Sequence, residues 1–336
     1  MKKTLITIIL ISLNLFSLGE NNAFKNFFHH KKKIELKDTL RLSEIVVTQT
    51  DIYAVDLADT DIKRYSLEGK LLQKIGRKGQ GPGEFSYPHG LTINPSIGII
   101  IGNLNNPRVN FFSLEGSFIK SHIFEKMRSS GKIKYSQNKF YVSSLIQTRN
   151  ASGDLLHIHD MSGKLEKTFF YCDFEKRYVD ALLTVSLYSP FDIDRDGNIY
   201  SSYVFNYKIH QFSPDGKLLR TFPTPKNYIS PYSTKIPKNV KSIKEYESWL
   251  SKWYQVFNII CSKNYVFVSL CVHGSEGYRV DVYNNKGKIL DDNIFTNLVL
   301  LFSDDEGNFY FKGEETENGT IVEIYELKGV NQNERN

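Results

Sequence analysis

The hydrophobic positions of this chain fall in short runs of alternating character, separated by Gly, Asn and Asp. One nine-residue block recurs six times without gaps: DIKRYSLEG (61–69), RVNFFSLEG (108–116), LLHIHDMSG (155–163), KIHQFSPDG (208–216), RVDVYNNKG (279–287) and IVEIYELKG (321–329). Its second position is β-branched or Leu (Ile62, Val109, Leu156, Ile209, Val280, Val322). Its fifth is aromatic or His (Tyr65, Phe112, His159, Phe212, Tyr283, Tyr325). Its ninth is always Gly, which supplies the positive φ of a tight turn. A second apolar run precedes each block, as in IYAVD (52–56), IIIGN (99–103) and VFVSL (266–270). Further runs flank these pairs, such as EIVVT (44–48) and LLQKIG (71–76). Four strands per unit, recurring every 40 to 50 residues or so, predict an all-β fold: a six-bladed β-propeller of four-stranded antiparallel blades.

The last unit lacks a fourth strand, because only seven polar residues follow its block. The N-terminal segment Lys33–Lys37 (KIELK) is expected to complete it, leaving no free seam between the chain ends. The block glycines are spaced 47, 47, 53, 71 and 42 residues apart, so an insertion of about residues 223–255 separates units four and five. Its first half is Pro-rich. Its second half, Ser242 to Phe257, predicts a helix, with a capping box at Ser242 and Glu245. Trp249 and Trp253 share one side of that helix. They could pack it onto the ring or form an aromatic shelf for a ligand.

Residues 1–19 carry a basic start (Lys2, Lys3), an apolar stretch and small residues at 17 and 19, the pattern of a secretory signal. The expected organisation is signal 1–19, N-terminal tail 20–32, propeller 33–330 and C-terminal tail 331–336, in a periplasmic or secreted monomer with no membrane span. Removing Lys2 and Lys3 leaves 41 basic against 37 acidic residues, too small an excess to suggest nucleic acid. Cys172, Cys261 and Cys271 are an odd number, and no structural disulfide is expected among them.

Residues 52–125 resemble NHL-repeat propellers. IGRKGQGPGEFSYPHGLTI (75–93) is similar to the NHL inter-blade segment, with its Gly-rich loop, Phe and Pro-x-Gly (Pro88-His89-Gly90). Asn106-Pro107-Arg108-Val109, with Phe112 and Gly116, resembles the NHL strand core. The family's Asp five residues before the Arg is Asn103 here. In the first unit Asp56 is present, but Asp61 stands where Arg would be. The whole chain resembles the exported six-bladed propellers of Bacteroides-type bacteria. The resemblance implies the fold, and fold alone carries little about function.

Asp192-Ile193-Asp194-Arg195-Asp196-Gly197-Asn198 imitates the start of a calcium loop but lacks the Glu required at its twelfth position, so a hairpin turn is expected. His157 and His159 share a strand face and could ligate a metal, but His159 occupies the aromatic repeat position, which favours packing. No nucleophile elbow, HExxH or phosphate loop occurs. The inner strands offer Glu44, His89, Asn258 and Asn297, beside the cationic Lys132. That is a thin set for calcium or another divalent metal, with His89 and Asn258 the best ligands. No cofactor is therefore expected. Loops between blades, and between second and third strands, emerge on one face. There Arg77, Lys78, Gln80, Glu84, Tyr87, His89, Asn103, Asn105, Tyr188, Tyr203 and Asn206, with Trp249 and Trp253, are the candidate ligand-binding residues. The expected function is a non-catalytic binding or scaffold propeller for a protein, peptide or glycan. The alternative is a metal-dependent hydrolase or lyase with its metal in the central channel.

Overall fold

The computed structural model describes residues 20–104, 106–127, 131–144, 152–173, 189–204, 206–228, 248–249, 253–272 and 277–328. Six four-stranded antiparallel sheets form the blades of a propeller. Blade 1 comprises Leu42–Val47, Asp51–Asp56, Asp61–Ser66 and Leu71–Ile75. The inner strands of blades 2 to 6 are Pro88–Asn94, Ile133–Ser136, Phe191–Ile193, Tyr254–Ser262 and Val299–Ser303. Among the described residues, no helix is long and apolar enough to cross a membrane.

The repeated block explains how the blades stack. Its second and fifth positions are three apart, so they lie on opposite faces of the third strand. In blade 1, Ile62 packs with Phe85 of the inter-blade segment and with Leu91 and Ile99 of blade 2, whereas Tyr65 packs with Ile34, Leu36 and Val322 of blade 6. In blade 2, Val109 faces Ile133 and Phe140 of blade 3, and Phe112 turns back to Ile62. All twelve side chains at these two positions are at most 5% exposed. One residue of each block therefore meets the blade ahead and the other the blade behind. The block's glycine then turns the chain back. Gly69 has φ +85°, and a Cβ there would stand 2.7 Å from the Glu35 carbonyl oxygen.

The N-terminal strand closes blade 6 and pairs antiparallel with Gly319–Leu327. It is longer than the expected Lys33–Lys37, running from Phe28 to Lys37. Residues 20–32 are not a solvated tail. Asn22–Phe27 forms a short helix whose N-cap Asn21 accepts from the Phe24 N–H at 2.9 Å. Phe24 and Phe28 are buried between blades 5 and 6, against Phe311, Tyr325, Phe309 and Phe267. The polar run His29–Lys33 hid this strand, because its residues are all exposed on the outer edge.

The expected helix does not reach Phe257. Ser248 and Trp249 are helical, but Tyr254–Ser262 is the inner strand of blade 5, paired with Tyr265–Val272. Its β-branched residues Val256, Ile259 and Ile260 are buried in the sheet, which outweighs the helical spacing of the aromatics. The capping box at Ser242 and Glu245 lies outside the described residues.

Candidate functional site

Six inner strands surround a central channel. A cavity of about 270 Å³ runs from Glu44, His89, Lys132 and Asn258 to the hairpin-turn residues Arg195, Lys263 and Asp305. Those turns join first to second strands. They therefore lie on the face opposite the inter-blade loops, and the cavity reaches the side of the ring where no site was expected.

Charges within the channel are paired across blades. His89 Nδ1 lies 2.6 Å from Glu44 Oε1, and the Glu44 carboxylate also accepts from the Gly90 and Leu91 N–H groups, both at 2.8 Å. Burial opposes ionisation of Glu44, but its interaction with His89 and these hydrogen bonds prevail and hold its pKa at about 2. Asp192 pairs with Lys134 at 2.7 Å and accepts from the Cys261 N–H at 2.9 Å. Lys132 differs. Its ammonium donates to Asn258 Oδ1 at 3.0 Å and to the Ile259 carbonyl at 3.3 Å, both neutral acceptors. Burial, reinforced by Lys134, lowers its pKa to about 8. At the channel's turn-side mouth, Arg195 of blade 4 donates to the Asp305 carbonyl of blade 6 at 2.7 Å. Lys263 donates to the Glu306 carbonyl at 2.9 Å.

The two favoured metal ligands are thus engaged otherwise: His89 pairs with Glu44, and Asn258 Oδ1 holds Lys132. In blade 4, Asp194 accepts from the N–H groups of Asp196 and Asn198, the Asn198 amide and the Tyr200 hydroxyl. Asp304 of blade 6 repeats this with Asn308 and Tyr310. The calcium-like stretch is therefore a hairpin turn, as its missing Glu implied. His159 is buried and packs on Phe124 with ring centroids 4.8 Å apart. The three cysteines are free. Cys261 and Cys271 sit opposite Val266 and Gln255 in adjacent strands.

One further acidic group, Asp56, Asp59 and Asp61, brings carboxylate oxygens within 4.8 Å of one another. The buried Lys63 ammonium fills it, at 2.5 Å from Asp56 and 2.8 Å from Asp59. Asp56 also accepts from the Leu40 and Arg41 N–H groups ahead of blade 1. In blade 2, Asn103 occupies the same place and accepts from the Ser86 N–H at 3.0 Å and the Tyr87 N–H at 3.4 Å. Asn103 is buried, and these bonds fasten the segment entering blade 2.

The remaining loop-face candidates divide. Arg77, Lys78, Gln80 and Asn206 are exposed, and Tyr87 is half-buried. Glu84 accepts from Arg77 Nε at 2.9 Å and the Gly81 N–H at 2.9 Å, while Arg108 grips the Gln80 carbonyl at 2.7 Å. The Gly-rich loop is thereby rigid, and Glu84 belongs to its frame. Tyr203 stacks on Phe170 at 4.4 Å. Trp249 and Trp253 are 3% and 1% exposed, within the cluster of Tyr141, Phe169 and Phe191. Neither offers an aromatic shelf, since the insertion uses both to seal the packing of blades 3 and 4. Asn105 and Tyr188 lie outside the described residues. Lys134, Lys63 and Asp305 were missed, because each acts with a partner that only the folded ring brings near.

Among curated proteins, none matches this sequence. Solved structures that are similar include a member of the DUF4221 family from Bacteroides vulgatus, 13% identical, covering 90% of this chain and 98% of that one at a TM-score of 0.62. A Bacteroides fragilis protein named for its expected export is 11% identical over 92% of this chain and 97% of that one, with a TM-score of 0.63. A Xanthomonas campestris gluconolactonase is 10% identical over 92% and 93%, with a TM-score of 0.57. At these identities the likeness concerns fold alone. A family model described as a 6-bladed beta-propeller, DUF5128, matches residues 34–288. With the six sheets and the N-terminal closing strand, that match shows the chain to be a six-bladed propeller of the DUF5128 family.

Proposed function

We propose that this chain is an exported, non-catalytic binding propeller that meets a protein, peptide or glycan partner on its inter-blade loop face. The observation that carries this reading is the state of the channel's ligand atoms. The Glu44 carboxylate, the Asp192 carboxylate and Asn258 Oδ1 each already hold a cation, an imidazole or main-chain N–H groups. Binding a divalent metal there would require breaking those pairs, which disfavours a metal-dependent hydrolase or lyase. The loop between blades 1 and 2 supports a binding role. Its frame is fixed by Glu84 and Arg108, and it presents Arg77, Lys78 and Gln80 to solvent. A preorganised loop loses little entropy on binding. The N-terminal sequence pattern supports export, and the name of the structurally similar Bacteroides fragilis protein is consistent with it.

The test is capture from a native envelope extract with the full chain, compared with Arg77→Glu/Lys78→Glu. A partner retained by the wild type and lost by the double variant is the expected result. Stoichiometric metal in the purified protein, lost with Asn258→Ala, would overturn the reading in favour of the metal enzyme.

A further inference from the structure

We infer that the channel cavity is a binding site for a small organic carboxylate, with the Lys132 ammonium as its anchoring cation. The site lies within the channel, and its lining includes none of the loop residues Arg77, Lys78 and Gln80 that carry the proposed partner contact.

The inference rests on the charge pairing within the cavity. Glu44 and Asp192, the two carboxylates of its inner end, are each satisfied by a neighbouring blade. Arg195 has Asp305, and Lys263 is exposed, so water screens it. Lys132 alone among the channel's described cations is held inside by neutral oxygens only. An ammonium has three N–H donors, and two are engaged. A partly buried cation with no carboxylate in direct contact is costly, and an anion in the adjoining space would relieve that cost. The lowered pKa of Lys132 agrees, because burial and Lys134 outweigh Asp192 and Glu44 across the channel, while the Cys261 thiol, its own pKa raised by burial, stays neutral.

The class of ligand follows from the rest of the lining. A single available cation beside two carboxylates suits a monoanion better than a phosphate dianion. Leu91, Ile45, Phe257 and Ile260 offer apolar surface for an organic body, and about 270 Å³ limits it to a small molecule.

Acetate is the minimal probe. The full chain is reductively methylated with formaldehyde and sodium cyanoborohydride at pH 8, with and without sodium acetate, and each lysine's rate is read by peptide mass spectrometry. Exposed Lys78 and Lys120 report the general salt effect. The expected result is selective protection of Lys132 that grows with acetate, about threefold when acetate is twice its Kd. A Lys132 rate that follows Lys78 and Lys120 overturns the proposal. So does a Lys132 that never reacts, since the cavity would then be closed to small molecules. No variant is needed, so misfolding cannot obscure the outcome. Neither result bears on the loop-face partner.

Discussion

Closure by the N-terminal segment makes Phe28 a sensitive probe of the whole ring. Its ring is 3% exposed and sits among Phe24, Phe267, Phe309, Phe311 and Tyr325, at centroid distances of 4.9 to 6.3 Å. Phe28→Ala leaves a cavity lined by rigid aromatics from blades 5 and 6, which cannot collapse easily. The cost should be about 3–5 kcal/mol, against a total stability typically of about 5–15 kcal/mol. Trp249 and Trp253 are the chain's two tryptophans and report from the cluster of blades 3 and 4, across the ring. In urea, their fluorescence transition should move to lower denaturant together with the far-ultraviolet circular dichroism. His29→Ala, at an exposed neighbour on the same strand, should leave both unchanged. A Trp transition that stays put while the circular dichroism shifts would refute the reasoning. It would mean that the seam opens locally and the closing strand does not hold the ring as one cooperative unit.

Three other outcomes are expected. Removing Lys63 should leave Asp56, Asp59 and Asp61 facing one another, so Lys63→Ala should lose about 3–5 kcal/mol, and calcium should raise the melting temperature of that variant but not of the wild type. The folded pKa of Glu44, about 2, lies below its ordinary value of 4.5. Its contribution is therefore present above pH 4.5, on the order of 3 kcal/mol, and is lost as pH falls toward 2. Glu44→Gln should accordingly lose less stability than the wild type between pH 5 and pH 2.5 in urea titrations. Gly69→Ala should destabilise by more than about 1 kcal/mol, since it combines positive φ with a clash at the Glu35 carbonyl; an unchanged melting temperature would contradict the turn geometry.

The fold was legible because each unit repeats its packing instructions. Ile62 and Tyr65 mean little alone, but six copies at one spacing define strands buried on both faces and a ring that must close. Legibility ended where the repeat did. His29–Lys33 is too polar to read as a strand, since an outer edge strand needs few buried side chains. Tyr254 and Phe257 continue a helical spacing that the pairing with Tyr265–Val272 overrides. Trp249 and Trp253 stand out in the sequence for their rarity, yet the ring uses them as filler between blades 3 and 4. Rarity drew attention to residues whose role is burial.

The channel's chemistry was hidden for a different reason. A propeller gathers one strand from every blade, so neighbours in the channel are far apart in the chain. The Gly90 and Leu91 N–H groups reach Glu44 from 46 and 47 residues away, Cys261 reaches Asp192 from 69, and Lys132 reaches Asn258 from 126. The sequence could name Glu44, His89, Lys132 and Asn258 as channel residues, but only as a pool of potential ligands. Pairing turns that pool into something else. Once His89 is paired with Glu44, Lys134 with Asp192 and Asn258 with Lys132, few metal donors are left and a single cation stands with no carboxylate in contact. The same residue types that read as a thin cation site in sequence become, through their partners, a site with affinity for an anion.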